Sequence, residues 1–246
     1  NHKVILSGNA AQNIYFKNSS KSGFNYLDIR NQDEGVKFFS SVWINDLVCT
    51  GRISSSLNLT YIGAPLTNDI NIEGDLVLCS GKLDITGHNL NITNNLILNG
   101  GIFDLNNGIV NVSKNLLQPN GTMYINGGKL YITGDYKMKK GDEDSSANES
   151  SGYLKMIREE DYVYVGGSFI SRANQSHNGI LTAGTLEIKK DFSHKYYYGN
   201  GDGFKATGNH KVILSGNAAQ NIYFKKMVIH FTQVNAKNLD LLGLCR

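Results

Sequence analysis

The sequence has little proline, little charge and no long apolar run. Only 2 of its 246 residues are proline and 18% are charged, whereas 40% are hydrophobic, so the chain can bury a core and disorder is not expected. No stretch approaches 18 consecutive apolar residues and no basic leader precedes an apolar segment, so we expect neither a membrane span nor a signal peptide. The near-balanced net charge of +3 gives no reason to expect a nucleic-acid partner, which needs a basic stripe.

Cysteine and catalytic motifs are also scarce. Cys49, Cys79 and Cys245 are far apart and form no CxxC pattern or Cys/His metal spacing, so whether they pair stays open. The six histidines accompany no HExxH motif and no Ser/His/Asp order. No nucleophilic or zinc-hydrolase site is therefore predicted.

A letter-for-letter duplication dominates what the sequence does contain. The segment NHKVILSGNAAQNIYFK occurs at residues 1–17 and again at 209–225, an offset of 208 residues. The two copies diverge after it, so we interpret the chain as one long unit followed by the start of a second copy. This organisation is expected of a piece of a longer repetitive protein.

A shorter period of 20 residues fills the middle of the chain. Residues 82–101, 102–121 and 122–141 align without a gap, and 62–81 join them. Apolar residues alternate in pairs at columns two and four, nine and eleven, and fifteen and seventeen, which is the pattern of short, half-buried strands. The joins between strands carry turn residues that tolerate a left-handed backbone, namely Gly87, Asn107 and Gly127 at one join and Gly74, Asn94 and Gly134 at the next. Column fourteen contains side chains that can hydrogen-bond along a stack, namely Asp75, Asn95, Asn115 and Asp135.

These patterns predict an all-β fold, a parallel β-helix or β-solenoid with about 20 residues and three short strands per coil. No window of a dozen residues keeps apolar residues at helical spacing. We expect one solenoid module over 1–246. Its predicted parts are less regular coils at 1–61, regular coils at 62–141, coils with loop insertions at 142–208, and the start of the second copy at 209–246.

Two segments near the carboxyl end resemble a known family. NGILTAGTLEIKKDF and GNGDGFKATGNHKVILSGNAAQNIYF, within residues 178–225, are similar to a repeat of large β-solenoid, adhesin-like surface proteins of Gram-positive anaerobic bacteria. The duplication extends the resemblance to residues 1–45. The central coils resemble the family only in their general pattern. The resemblance implies secretion, display at the cell surface and an adhesive or stalk role, and it brings no catalytic residues. The chain is also loosely similar to autotransporter passengers and phage tailspikes, which share the coil architecture but differ in function.

Three loop insertions predict a binding edge. Residues 142–152, 172–179 and 194–203 fall at the same join between coils, so we expect them to project from one edge. Three consecutive tyrosines in the third insertion cannot all point inward, and a displayed ring beside polar groups suits a glycan or protein ligand. The alternative is that the loops are only tolerated. The candidate ligand-binding residues are Tyr196, Tyr197, Tyr198, Asn200 and Asp202.

Two other clusters have structural interpretations that we prefer. Asp142, Glu143 and Asp144 could offer oxygen ligands to Ca²⁺, but their spacing matches neither an EF-hand nor a GGxGxD repeat, and a solvated charge run is the better interpretation. Val77, Ile97 and Leu117 form an apolar stripe on the predicted outer face. We expect this stripe to pack under the amino-terminal segment or, as a second choice, against a partner chain.

One pair of carboxylates keeps an enzymatic alternative open. Parallel β-solenoids also include polysaccharide lyases and hydrolases, and Asp84 and Asp104 share predicted outer column three, one coil apart. Such a pair could act as acid and nucleophile. No basic cluster surrounds it in the sequence, so catalysis is the less favoured hypothesis.

The sequence therefore predicts a non-catalytic, extracellular structural or adhesive repeat module, without a cofactor unless Ca²⁺ binds. Its expected partners are a glycan or a host or matrix surface protein, together with neighbouring repeats of the same chain. The alternatives are a carbohydrate-active β-helix enzyme and a fibre subunit that associates end to end through open sheet edges.

Overall fold

The protein is a parallel β-solenoid of about nine turns, each of roughly 20 residues. The structure is a computed structural model that describes residues 2–18, 22–142, 146–195, 202–225 and 234–236. It contains 47% strand and 1% helix. The predicted fold class is confirmed. The physical cause is the alternation of apolar and polar residues, which favours short half-buried strands over helices.

The strands stack into three walls. The first wall contains β1 (Lys3–Leu6), β3 (Gly23–Ile29), β5 (Val42–Cys49), β6 (Leu57–Tyr61), β8 (Leu76–Asp84), β10 (Leu96–Leu98), β13 (Leu116–Leu117), β16 (Tyr136–Met138), β19 (Phe169–Ser171), β21 (Phe192–Lys195) and β23 (Ile222–Lys225), in that order. The second wall contains β7 (Ile70–Ile72), β9 (Asn89–Ile92), β12 (Ile109–Val112), β15 (Lys129–Ile132), β18 (Tyr162–Val165), β20 (Thr185–Ile188), β22 (Lys211–Leu214) and β24 (Val234–Ala236). The third wall joins the end of β8 and contains β11 (Ile102–Asp104), β14 (Thr122–Tyr124) and β17 (Tyr153–Lys155). β2 (Gln12–Ile14) pairs with β4 (Val36–Phe38), and a short 3-10 turn spans Ser146–Asn148.

The strand register follows the 20-residue columns of the sequence. Ile97 pairs with Val77 and Leu117, and Phe103 pairs with Leu83 and Met123, all in parallel. The alternating side chains that point inward form one continuous apolar core along the solenoid axis. Each coil buries its inner face only through its neighbours, which is the stabilising principle of repeat proteins.

A ladder of polar side chains holds the corner that leads into the first wall. At each coil the side-chain oxygen accepts a hydrogen bond from the backbone N–H of the equivalent residue one coil further, for example Asp75 Oδ1 from Asn95 at 2.9 Å and Asn95 Oδ1 from Asn115 at 3.1 Å. The ladder satisfies corner N–H groups that strand pairing cannot reach. This corner ladder consists of Ser56, Asp75, Asn95, Asn115, Asp135, Ser168, Asp191 and Asn221.

Positive φ values occur at all three predicted residues of one join and at Gly74, with φ +156°, of the other. Gly87, Asn107 and Gly127 have φ values of +75°, +64° and +81°. At the other join the prediction was wrong for Asn94 and Gly134, which do not have positive φ, because the corner ladder turns the chain there instead. A further set of residues with positive φ lies where the chain enters the third wall, and the sequence columns did not predict it. These residues are Gly81, Gly101 and Gly121.

The duplicated segment lies on different walls in its two copies. Its first strand is β1, in the first wall, at the amino end, but β22, in the second wall, at the carboxyl end. The following residues form β2, outside the first wall, in one copy and β23, within it, in the other. Identical sequence therefore does not determine which wall a strand joins.

Candidate functional site

The carboxylates of Asp84 and Asp104 are stacked, as predicted, but they are buried rather than displayed. The two residues pair in register and are 7% and 5% exposed. The Lys82 ammonium lies 2.8 Å from Asp84 and 3.1 Å from Asp104. Asn106 donates to Asp84 and Asn126 donates to Asp104, at 3.2 and 3.1 Å. The two aspartates lie in the predicted outer column, since their neighbours Leu83 and Phe103 point into the core, but polar partners from neighbouring coils enclose the carboxylates.

The pKa of Asp84 does not suit the role of a general acid. Burial acts to raise the pKa of Asp84, but hydrogen bonds from Lys82, Thr86 and Asn106 together hold it below its usual value. A general acid needs a raised pKa to keep its proton at neutral pH. Asp84 therefore serves as a permanent anion that neutralises Lys82 and anchors the turn at Thr86, whose N–H and hydroxyl it accepts.

The predicted apolar stripe exists on the first wall and spans three coils, between Asn58 and Lys137 of the same column. Val77, Ile97 and Leu117 stack in register and are half-buried. The expectation that the amino-terminal segment covers them was wrong, because β1, β3 and β5 extend the same wall in sequence order instead of crossing it. A partner chain remains the other hypothesis for this stripe.

The acidic run offers few oxygens for a cation among the described residues. Asp142 is almost fully solvated and pairs with Lys139 at 2.7 Å, and this hydrogen bond lowers the pKa of Asp142. Glu143 and Asp144 lie outside the described residues. Within the described parts of the chain, no group of three or more His, Cys, Asp or Glu side chains is arranged to hold a metal ion.

The predicted loop residues are only partly described. Tyr196, Tyr197, Tyr198 and Asn200 lie outside the described residues. Asp202 pairs with Lys205 at 3.4 Å, and its backbone carbonyl accepts the N–H of His177 at 2.8 Å. This backbone bond ties the third insertion to the second.

The bases of all three insertions lie on one corner. The insertions follow β16, β19 and β21, which are consecutive strands of the first wall. A basic residue lies at the end of each of these strands: Lys139 follows β16, Arg172 follows β19 and Lys195 ends β21. Met138 pairs with Ser171 and Ser171 with His194, so the next residues, Lys139, Arg172 and Lys195, occupy one column, and Lys195 pairs in register with Lys225. We call this column the basic ladder (Lys139, Arg172, Lys195 and the register position of Lys225).

A groove runs beside the basic ladder on the outer face of the first wall. It encloses about 340 Å³. Three cations and one carboxylate line it, together with three serines, an isoleucine and the half-exposed ring of Tyr223. The lining residues are Lys139, Ser168, Ile170, Ser171, Arg172, Asp191, Ser193, Lys195 and Tyr223.

The charges of this groove are partly held by the protein itself. The side chain of Lys139 is only 11% exposed, although its partner Asp142 is 96% exposed. Arg172 is 7% exposed and donates to the backbone carbonyl of Asp142 at 3.4 Å. The Asp191 carboxylate accepts the backbone and side-chain N–H groups of Asn221 at 2.8 and 3.2 Å. Packing thus holds the side chains of Lys139 and Arg172 against the wall. These two like charges lie at the ends of adjacent strands.

Sequence reasoning missed the basic ladder because net charge averages over the whole chain. The signal was present: continuing the columns past residue 141 through VGGSF and IKKDF aligns Lys139 with Arg172 and Lys195. The irregular insertions between these coils concealed the alignment.

Buried histidines and Cys49 also lie in the interior, whereas Cys79 is half-buried. Burial lowers the pKa of His177 to about 4, and burial together with nearby His177 lowers the pKa of His194 to about 4. The His194 Nδ1 atom lies 3.1 Å from the Ser171 hydroxyl. Cys49 and Cys79 are free thiols, and burial raises the pKa of Cys49 to about 12, whereas Cys245 lies outside the described residues. These groups are neutral at physiological pH.

The comparisons with known proteins add no family. The chain matches none of the protein-family models, curated proteins or solved structures compared with it. In the described residues no helix has the length and apolar character that crossing a membrane requires.

Proposed function

We propose that this protein is a non-catalytic, extracellular structural and adhesive repeat module of a bacterial surface protein. The solenoid is the rigid part, and the loop-bearing corner of the first wall, with the groove beside it, is the adhesive part. The observation that carries the proposal is the convergence of the three insertions and the groove at one corner. Solenoids commonly build binding surfaces from insertions on one edge.

The groove has the composition of a recognition surface. Tyr223 is 53% exposed, and its ring lies in the same column as Ile170 and Ser193. An exposed aromatic ring with hydroxyl and charged neighbours suits a glycan or a protein partner. The tyrosines of the third insertion follow Lys195 directly in the sequence, so they are the second part of the proposed site.

The duplication offers an internal control for this proposal. Tyr15 and Tyr223 are the same position of the repeated segment, and both are exposed, at 68% and 53%. Tyr15 stacks on Phe39 at the other end of the molecule, with ring centroids 4.7 Å apart, and lies outside the groove.

The test is binding of the 246-residue chain to a panel of immobilised glycans and extracellular-matrix proteins. We expect Tyr223→Ala, and separately a variant with Tyr196, Tyr197 and Tyr198 all changed to Ala, to weaken binding, whereas Tyr15→Ala does not. Equal binding by all variants would place the adhesive site elsewhere. Binding to no member of the panel would contradict the adhesive role.

A fibre-forming role is the second proposal, and the duplicated segment supports it. Residues 209–225 dock on β20 and β21 of their own chain, and residues 1–17 of a second molecule carry the same sequence. A strand from one molecule could therefore replace its counterpart in another by domain swapping. Analytical ultracentrifugation tests this: concentration-dependent oligomers are expected, and a monomer at all concentrations would contradict it.

A further inference from the structure

We propose that the groove beside the basic ladder binds an acidic polysaccharide, whose sugar rings carry carboxylate or sulfate groups. This inference rests on the proposed adhesive function and names its ligand class. It starts from the charge of the ladder, which the overall composition of the chain conceals.

The basic ladder concentrates positively charged residues at one corner, where Lys139 pairs with Asp142 and Arg172 donates to a backbone carbonyl. Its positions recur once per coil, and neighbouring strands lie about 4.8 Å apart. Like charges directly opposite on adjacent strands are destabilising. The matching outer column of the second wall shows no such run: it contains Asn91, Asn111, Tyr131, Tyr164 and Glu187. Stacked cations on consecutive coils are therefore a local feature of the loop-bearing corner.

The spacing of the ladder favours a sugar polymer over other polyanions. An extended acidic peptide presents side chains on one face only every second residue, about 6.6 Å apart. Phosphates along one strand of a nucleic acid recur about every 3.4 Å of helix axis. A sugar chain with an acid group on each ring places its charges about one ring apart, between these two values and closer to the coil spacing.

The uncharged lining of the groove also fits a sugar. Ser168 and Ser193 supply hydroxyl groups, which exchange hydrogen bonds readily with sugar hydroxyls. The Tyr223 ring supplies a flat apolar surface with a polar tip, which suits the apolar face of a sugar ring. Charge-assisted hydrogen bonds from Lys and Arg to carboxylate or sulfate would add the stronger contacts.

The experiment measures binding of the complete 246-residue chain to four immobilised probes: heparin, polygalacturonate, dextran and poly-glutamate. The test variant is Lys139→Gln with Lys195→Gln, and Arg172 is left intact because it is nearly buried. The matched control is Lys129→Gln with Lys211→Gln, which removes the same charge from exposed positions of the second wall. Lys139→Arg with Lys195→Arg keeps the charge, and circular dichroism confirms that each variant is folded.

We expect wild type to bind heparin or polygalacturonate, with affinity that falls as salt screens the charges. The Gln variant should lose about tenfold in affinity, whereas the control and the Arg variant should stay within about twofold of wild type. Equal losses in the test and control variants would mean that net charge, not the ladder, governs binding, and would overturn the proposal.

The remaining outcomes separate this inference from the proposed function. Tighter binding to poly-glutamate than to either acidic polysaccharide would assign the groove to an acidic peptide and overturn the sugar ligand. Tyr223-dependent binding to dextran or to a matrix protein, without binding to heparin or polygalacturonate, would overturn the acidic ligand but keep the adhesive role. Binding to no probe and to no member of the wider panel would overturn both.

Discussion

Asp84 and Asp104 share a single counter-ion, since the Lys82 ammonium lies 2.8 Å from the first carboxylate and 3.1 Å from the second. Two adjacent anions with low exposure would repel each other without it. Because Lys82 itself is half-exposed, water screens part of the attraction. The arrangement thus resembles a structural ion triad on consecutive coils.

The first prediction removes that counter-ion. Lys82→Met should lower the free energy of unfolding by about 1–2 kcal/mol, measured by urea denaturation at pH 7, because two buried carboxylates lose their shared cation. Adding Asp104→Asn to Lys82→Met should recover part of the loss. Lys129→Met, at an exposed position without an ion pair to either carboxylate, is the control. Equal effects of Lys82→Met and Lys129→Met would argue against the triad.

The second prediction concerns acid stability. His177 and His194 stay neutral in the folded protein, with pKa values of about 4, whereas an unfolded histidine titrates near 6.5. Between these pH values the unfolded chain binds more protons, so the free energy of unfolding falls as pH drops from about 6.5 towards 4, by up to about 3 kcal/mol per site. Above this window the two histidines impose no penalty.

The geometry of His177 explains why it resists protonation. Its Nε2 accepts the N–H of Leu154 at 3.1 Å, so its Nδ1 carries the proton and donates to the carbonyl of Gln175 at 3.1 Å. A second proton, on Nε2, would point at the backbone N–H of Leu154. Denaturation curves at pH 7.5, 5.5 and 4.5 should show a shallower pH dependence for His177→Gln than for wild type. A slope as steep in His177→Gln as in wild type would contradict this account.

The third prediction tests the corner ladder. Asn95→Ala should lower the free energy of unfolding by about 1–3 kcal/mol, because the backbone N–H of Asn115 loses its acceptor. Asn91→Ala is the matched control: Asn91 lies in a ladder of side chains with Asn71 and Asn111 on the outer face of the second wall, where water can replace the lost bonds. If the two variants lose similar amounts of unfolding free energy in thermal or urea denaturation, the corner bonds stabilise the fold no more than the exposed ones do.

The fourth prediction separates close approach from backbone strain. Gly81 and Gly87 both have positive φ, but a Cβ at Gly81 would lie 1.8 Å from the Tyr61 carbonyl oxygen, whereas a Cβ at Gly87 would meet nothing within 4 Å. Gly87→Ala should therefore cost about 1–2 kcal/mol of unfolding free energy through strain alone. Gly81→Ala should cost at least about 3 kcal/mol, since two coils must move apart. Equal melting temperatures for the two variants would contradict this account.

The repeating parts of the fold could be predicted because every regular coil packs on its neighbours in the same way. A side chain such as Phe103 meets its equivalents Leu83 and Met123 one coil away, so the column alignment is also the contact map. The corner ladder was predictable for the same reason. Single positions failed where a neighbour outside the column intervenes, as Lys82, Asn106 and Asn126 do at the two aspartates.

The sequence by itself determined the fold class, the strand register of the regular coils and the corner that carries the insertions, because all three depend on periodic spacing along the chain. Only the tertiary structure decided that Asp84 and Asp104 are enclosed, that Lys139, Arg172 and Lys195 share one column, and that the two copies of the duplicated segment join different walls. The physical reason is that an alternating strand fits any wall of the solenoid equally well. Its wall, and the charges it meets there, depend on the coil on which it stacks.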